Sequence, residues 1–148
     1  MQEETILSEI AKVEQDTSIT STERIAIAKS RIGQGDFREK LIAFWKGCSV
    51  SGCQMTDILV ASHIKPWRVA NNKERLDTFN GLLLLPNYDK LFDKGYISFD
   101  TKGRIVFSNY FPESDRLLLQ IGKDTHLVMV SDNHKPFLSY HNRNCLIQ

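Results

Sequence analysis

Residues 61–95, ASHIKPWRVANNKERLDTFNGLLLLPNYDKLFDKG, constrain the fold of this chain more than any other stretch. An apolar run delivers Ser62 and His63. A polar segment follows, then a second apolar run over Gly81–Leu85 stopped by Pro86, then a short segment closed by Gly95. Apolar runs bounded by turn residues read as buried strands, and a short periodic segment ended by glycine reads as a helix. The order is therefore strand, loop, strand, helix, with His63, Asn80, Asp89 and Asp93 placed along it. These are the residue types that hold a divalent cation and activate a water beside a phosphodiester.

The rest of the chain reads as scaffold. Its 148 residues suit one domain with a true core. No apolar run approaches the roughly 20 residues of a membrane helix. The start, MQEETILSEI, is acidic and amphipathic and lacks the basic start and apolar centre of a secretory signal, so a cytoplasmic location with no membrane association is expected. Cys48 and Cys53 are separated by SVSG, half of a zinc-site spacing. A structural zinc needs four ligands, and no second cysteine pair is present, so no structural zinc is expected and a turn bent at Gly52 is the preferred reading.

The net charge of +1 conceals an asymmetry. Residues 1–20 carry Glu3, Glu4, Glu9, Glu14 and Asp16 against Lys12. Residues 63–75 carry Lys65, Arg68, Lys73 and Arg75 against Glu74. Because that second group follows His63, these four side chains are the candidates for contacts with nucleic-acid phosphates.

Ile6, Ile10 and Val13 form one stripe of a helix over residues 3–15. Thr20 with Glu23, and Asp36 with Glu39, have capping spacing and start helices running to about Ile32 and Trp45. Phe37, Leu41 and Phe44 or Trp45 face inward from the latter. Asp57–Ala61 is expected as a strand, 65–79 as a polar loop, and Tyr88–Lys94 as a helix capped by Asn87. A hairpin turns across Asp100–Gly103, and further helices are expected near Ser114–Gln120 and Pro136–Asn144. The division anticipated is an acidic helix or linker over 1–20 and a domain over 21–148, with its catalytic core at about 57–95.

Asp89 and Asp93 are four apart, so their carboxylates share one helix face. Two like charges at that spacing repel, and a divalent cation between them reverses the sign. His63, with an unperturbed pKa near 6.5, can take a proton from water at neutral pH. Asn80 can donate and accept, and so can pin the loop to the histidine strand. Trp67 either packs the loop or meets a sugar.

The motifs ASHIKPW (61–67), NGLLL (80–84) and LFDKG (91–95), with RIGQGDFREKL (31–41) and GCSVSGC (47–53) upstream and FLSYHNRN (137–144) in the tail, resemble an HNH endonuclease of the ββα-metal fold, restriction-type subgroup. The resemblance implies an α+β chain: a ββα-metal (HNH) core with N-terminal helices and a C-terminal hairpin/helix extension. It implies His63 as general base, Asn80 as the residue that orients the loop, and Asp89 and Asp93 as metal ligands. Ser62 departs from the pattern, standing where many such enzymes carry an aspartate or histidine ligand. Carboxylate ligands favour Mg²⁺, with Mn²⁺ able to replace it. The activity implied is metal-dependent hydrolysis of DNA phosphodiesters in prokaryotic restriction or phage defence. The competing readings are a DNA-binding module without catalysis and a structural or regulatory fragment whose acidic first helix docks a partner or continues into another domain. A homodimer is the simple route to a double-strand break.

Overall fold

Helices carry the first third of the chain. The computed structural model describes residues 2–148, with side chains described from residue 5 onward. α1 spans Gln2–Glu14, α2 Ser21–Arg31 and α3 Asp36–Trp45. The Thr20 hydroxyl accepts from the Glu23 amide, as its spacing predicts. Asp36 is not the cap of α3. Gly35 holds that place at φ 72°, a conformation that favours glycine, and Asp36 falls in the first helical turn. Phe37, Leu41 and Trp45 are the buried face of α3.

Two short antiparallel pairs complete the frame. β1 (Val60–His63) pairs with β2 (Gly81–Leu84) so that Val60 faces Leu84 and His63 faces Gly81. β3 (Ile97–Phe99) pairs with β4 (Ile105–Phe107). β2 is buried along its whole length, which explains its unbroken leucines. The expected strand at Asp57–Ala61 begins three residues late. Thr56–Ile58 is instead a 3₁₀ turn, held by the Arg38 guanidinium of α3, which donates to the carbonyls of Thr56 and Leu59.

The loop over 65–79 is more ordered than expected. It contains α4, Asn72–Leu76, started by a reciprocal capping box in which Asn71 and Glu74 each take the other's backbone amide. A 3₁₀ turn, Thr78–Asn80, then leads into β2. α5 runs Pro86–Asp93, with Pro86 rather than Asn87 opening it. Gly95 follows at φ 80°. The Asp100–Gly103 turn is closed by the Asp100 carboxylate, which accepts from the amides of Lys102 and Arg104. α6 (Glu113–Leu118) and α7 (Lys135–Asn144) form the C-terminal part.

The main core gathers Phe37, Leu41, Leu82, Leu83, Leu84, Phe92 and Leu138 from α3, β2, α5 and α7. A separate small cluster of Val13, Ile27 and Trp67 joins α1 and α2 to the loop after β1. Trp67 thus packs: it is buried, and its indole donates to the Ser30 hydroxyl. The Cys48–Cys53 segment is a turn, with Gly52 at φ 76° and backbone bonds from Gly52 to Cys48 and from Cys48 to Cys53. No helix among the described residues is long and apolar enough to cross a membrane.

Candidate active site

A cleft of about 730 Å³ opens where β1 ends against α5 and α7, and His63, Ser62, Asp89 and Asp93 all line it. His63 is held on two sides. Its ring stacks on Phe37, with centroids 4.0 Å apart and planes within 2°. Its Nε2 lies 2.8 Å from the Arg75 carbonyl oxygen. A carbonyl only accepts, so Nε2 carries the proton and Nδ1 keeps the lone pair. Burial, with weaker contributions from the Arg31 and Arg75 cations, pushes the pKa of His63 down to about 4, against the opposing hydrogen bond to Arg75. At neutral pH the imidazole is therefore uncharged and able to accept a proton.

Asn80 sits behind this histidine and is fully buried. Its carbonyl accepts from the Lys65 amide at 2.7 Å, and its amide donates to the carbonyls of Lys65 and Glu74 at 3.3 and 3.1 Å. The residue ties both ends of the 65–79 segment together and so places the Arg75 carbonyl that fixes His63. It positions the site and does not itself face the cleft lining.

Asp89 lies in the first turn of α5 and is half-buried. Burial and the neighbouring Asp93 raise its carboxyl pKa, while a hydrogen bond from Ser62 and the charge of Lys90 oppose the rise. Ser62, at the end of β1, thus lies beside Asp89 and favours its ionised form. Asp93 is exposed one turn further along. Among the described residues no group of three or more His, Cys, Asp or Glu side chains is placed to hold a metal ion. The donor set is two carboxylates facing one cleft, which fits a hard cation that keeps several waters and not a soft one enclosed by protein.

The four candidate phosphate contacts divide into two kinds. Lys65 is engaged with Glu74 at 3.0 Å and lies over the Tyr140 ring. Arg75 stacks on Trp67 at 3.6 Å and donates to the Trp67 carbonyl and to Asn72. Arg68 and Lys73 are exposed, and Arg68 alone of the four lines the cleft.

Two further residues belong to the site. Arg31, at the end of α2, lines the cleft beside His63; the signal available for it was its place at the head of RIGQGDFREKL. His141 lines the cleft as well, but both its nitrogens are engaged, with the Ser98 hydroxyl at 2.7 Å and the Phe92 carbonyl at 3.1 Å. Stacked on Phe92, it fastens α7 to the end of α5 and supports the segment bearing Asp93.

Residues 48–100 match the family model described as HNH endonuclease. The matched segment contains β1, α4, β2, α5 and β3, and with them His63, Asn80, Asp89 and Asp93. The match supports an HNH domain over that segment and, with it, nuclease chemistry in general. No curated protein matches the chain.

Proposed function

We propose that this chain is a metal-dependent endonuclease that hydrolyses DNA phosphodiester bonds, its centre a ββα-metal unit made of β1, β2 and α5. The observation that carries the reading is the state of His63. A neutral imidazole with Nε2–H locked on a backbone carbonyl leaves the lone pair on Nδ1, in a residue lining a cleft shared with two carboxylates. Nδ1 takes the proton of a water that attacks phosphorus in line. The Arg75 carbonyl stabilises the imidazolium that forms, and the stack on Phe37 keeps the ring from turning. Burial and the Arg31 cation disfavour that imidazolium, so the proton is passed on to solvent.

Asp89, with Ser62 beside it, would hold Mg²⁺ or Mn²⁺ with Asp93. When bound, the ion neutralises charge developing on the phosphate and on the leaving 3′ oxygen. The expected products carry 5′ phosphate and 3′ hydroxyl ends. Restriction or phage defence is the setting that the motifs from 31–41 through the tail at 137–144 favour.

Supercoiled plasmid incubated with the purified protein, with Mg²⁺ or with EDTA, tests this. Metal-dependent cleavage leaving ligatable ends supports it. A second reading, a DNA-binding module without catalysis, is favoured by Ser62 in place of an acidic or imidazole ligand and by the two-carboxylate donor set. DNA binding with no cleavage in any divalent metal would decide for that reading.

A further inference from the structure

The acidic helix α1 reaches the cleft. Thr5 and Ile6 line it together with His63 and Arg31. One turn on, Glu9 is largely covered, its side chain 15% exposed, and it sits between two arginines from different elements. Its Oε2 accepts from the Nε of Arg31 at 3.0 Å. Its Oε1 lies 3.8 Å from the Nε of Arg68, is shielded from solvent, and accepts no hydrogen bond. A buried carboxylate oxygen with no donor is rare and costly, so the pocket holding it is not shaped for this carboxylate alone. Arg75 also feels the Glu9 charge. One anion thus lies between two guanidinium groups, with a third, that of Arg75, bordering the same concavity.

The surroundings extend this arrangement. On the far side of Glu9 a second concavity of about 370 Å³ is lined by Lys12, Asp16, Asn72 and Arg75, and Trp67 and Arg68 border both it and the cleft. A basic path therefore runs from His63 past Arg31 and Arg68 to Arg75, interrupted by Glu9. α1 is fastened through the small Val13–Ile27–Trp67 cluster and not through the main core. It can leave without opening that core.

We propose that the Glu9 carboxylate occupies a phosphate subsite: Arg31 and Arg68 are the residues that take a backbone phosphate of nucleic acid beside His63, and substrate entry displaces α1 from them. The inference rests on the reading of the cleft as a nucleic-acid site and adds to it a subsite, a binding residue in Arg31 and a built-in competitor. A backbone phosphodiester presents two non-bridging oxygens in a tetrahedral arrangement, one for each guanidinium.

The test is binding of a short duplex DNA by the full chain in EDTA, followed by fluorescence anisotropy at several salt concentrations. Glu9→Gln keeps the shape and removes the charge, and Glu14→Gln removes an equal charge from an exposed position of the same helix. Glu9→Gln is expected to tighten binding about tenfold and Glu14→Gln by less than about twofold, because only the first competes at close range. Adding Arg31→Ala to Glu9→Gln is expected to abolish the gain. In the unmodified protein, amide exchange of α1 is expected to quicken when DNA binds. Equal effects of the two Glu substitutions overturn the inference, as does α1 exchange that is unchanged or slowed by DNA. Metal-dependent plasmid cleavage alongside either result leaves the nuclease reading standing, whereas a tightened Glu9→Gln without cleavage by any form sinks that reading and keeps the subsite. DNA binding by none of the forms removes both.

Discussion

Acid should loosen this protein well before its carboxylates titrate. His63 is half-buried at the cleft and His141 is buried, and desolvation pushes each pKa from the usual 6.5 down to about 4. Once the chain unfolds, the imidazoles return to ordinary values and gain protons below pH 6.5. The unfolded state then binds more protons, so stability is full above 6.5 and is lost as pH falls toward 4. At pH 5 each group withdraws about 2 kcal/mol and the two together about 4 kcal/mol, a large share of the roughly 5–15 kcal/mol that holds a domain folded. His134, also lowered by burial, acts in the same direction. Asp89, whose carboxyl is raised, acts weakly in the opposite one. Urea unfolding followed by tryptophan fluorescence measures this directly, since Trp45 and Trp67 are both buried. The midpoint is expected to fall by about 2 M urea between pH 7.5 and 5.0, and His141→Phe should show about half the fall. An unchanged midpoint over that interval would refute the assignment of these imidazoles as held neutral by the fold.

Three further outcomes are expected. Asn80→Ala strands the Lys65 amide and two carbonyls, so it should cost about 3 kcal/mol in urea unfolding and depress plasmid cleavage more than a stability loss alone explains. Ser62→Ala removes the hydroxyl beside Asp89, and Mn²⁺ affinity measured by calorimetry should weaken about tenfold with little change in melting temperature. Gly95→Ala forces a side chain onto a residue at φ 80° and against the Cys145 carbonyl, and should cost about 2–4 kcal/mol on thermal melting.

Much of the frame was legible in the amino acids, and the reasons are local. Thr20 with Glu23, the solid leucines of β2 and the stop at Gly95 each act within a few residues, and each appears in the structure as its spacing predicts. The motifs at 61–67, 80–84 and 91–95 all fall inside the family match over residues 48–100. The departures are of two kinds, one long in reach and one local. Arg38 draws the carbonyls of Thr56 and Leu59 toward α3 and shortens the expected strand, across a separation that periodicity cannot see. α4 was missed because Asn71-Asn72 reads as a turn until Glu74 is recognised as the other half of a capping box. Within the site, residue types could suggest a histidine base and carboxylate ligands. They could not show that the Arg75 carbonyl selects the tautomer, that Ser62 stands beside Asp89, or that Arg75 and Lys65 are already occupied.

The central claim is that His63 Nδ1 accepts the proton of the attacking water. The most direct measurement is the initial rate of supercoiled-plasmid cleavage at pH 7.5 in Mg²⁺ by the unmodified protein and by His63→Ala, both verified as folded. The account predicts a loss of about 10²–10⁴-fold in the variant with DNA binding retained. Cleavage by His63→Ala within a few-fold of the unmodified rate would contradict it.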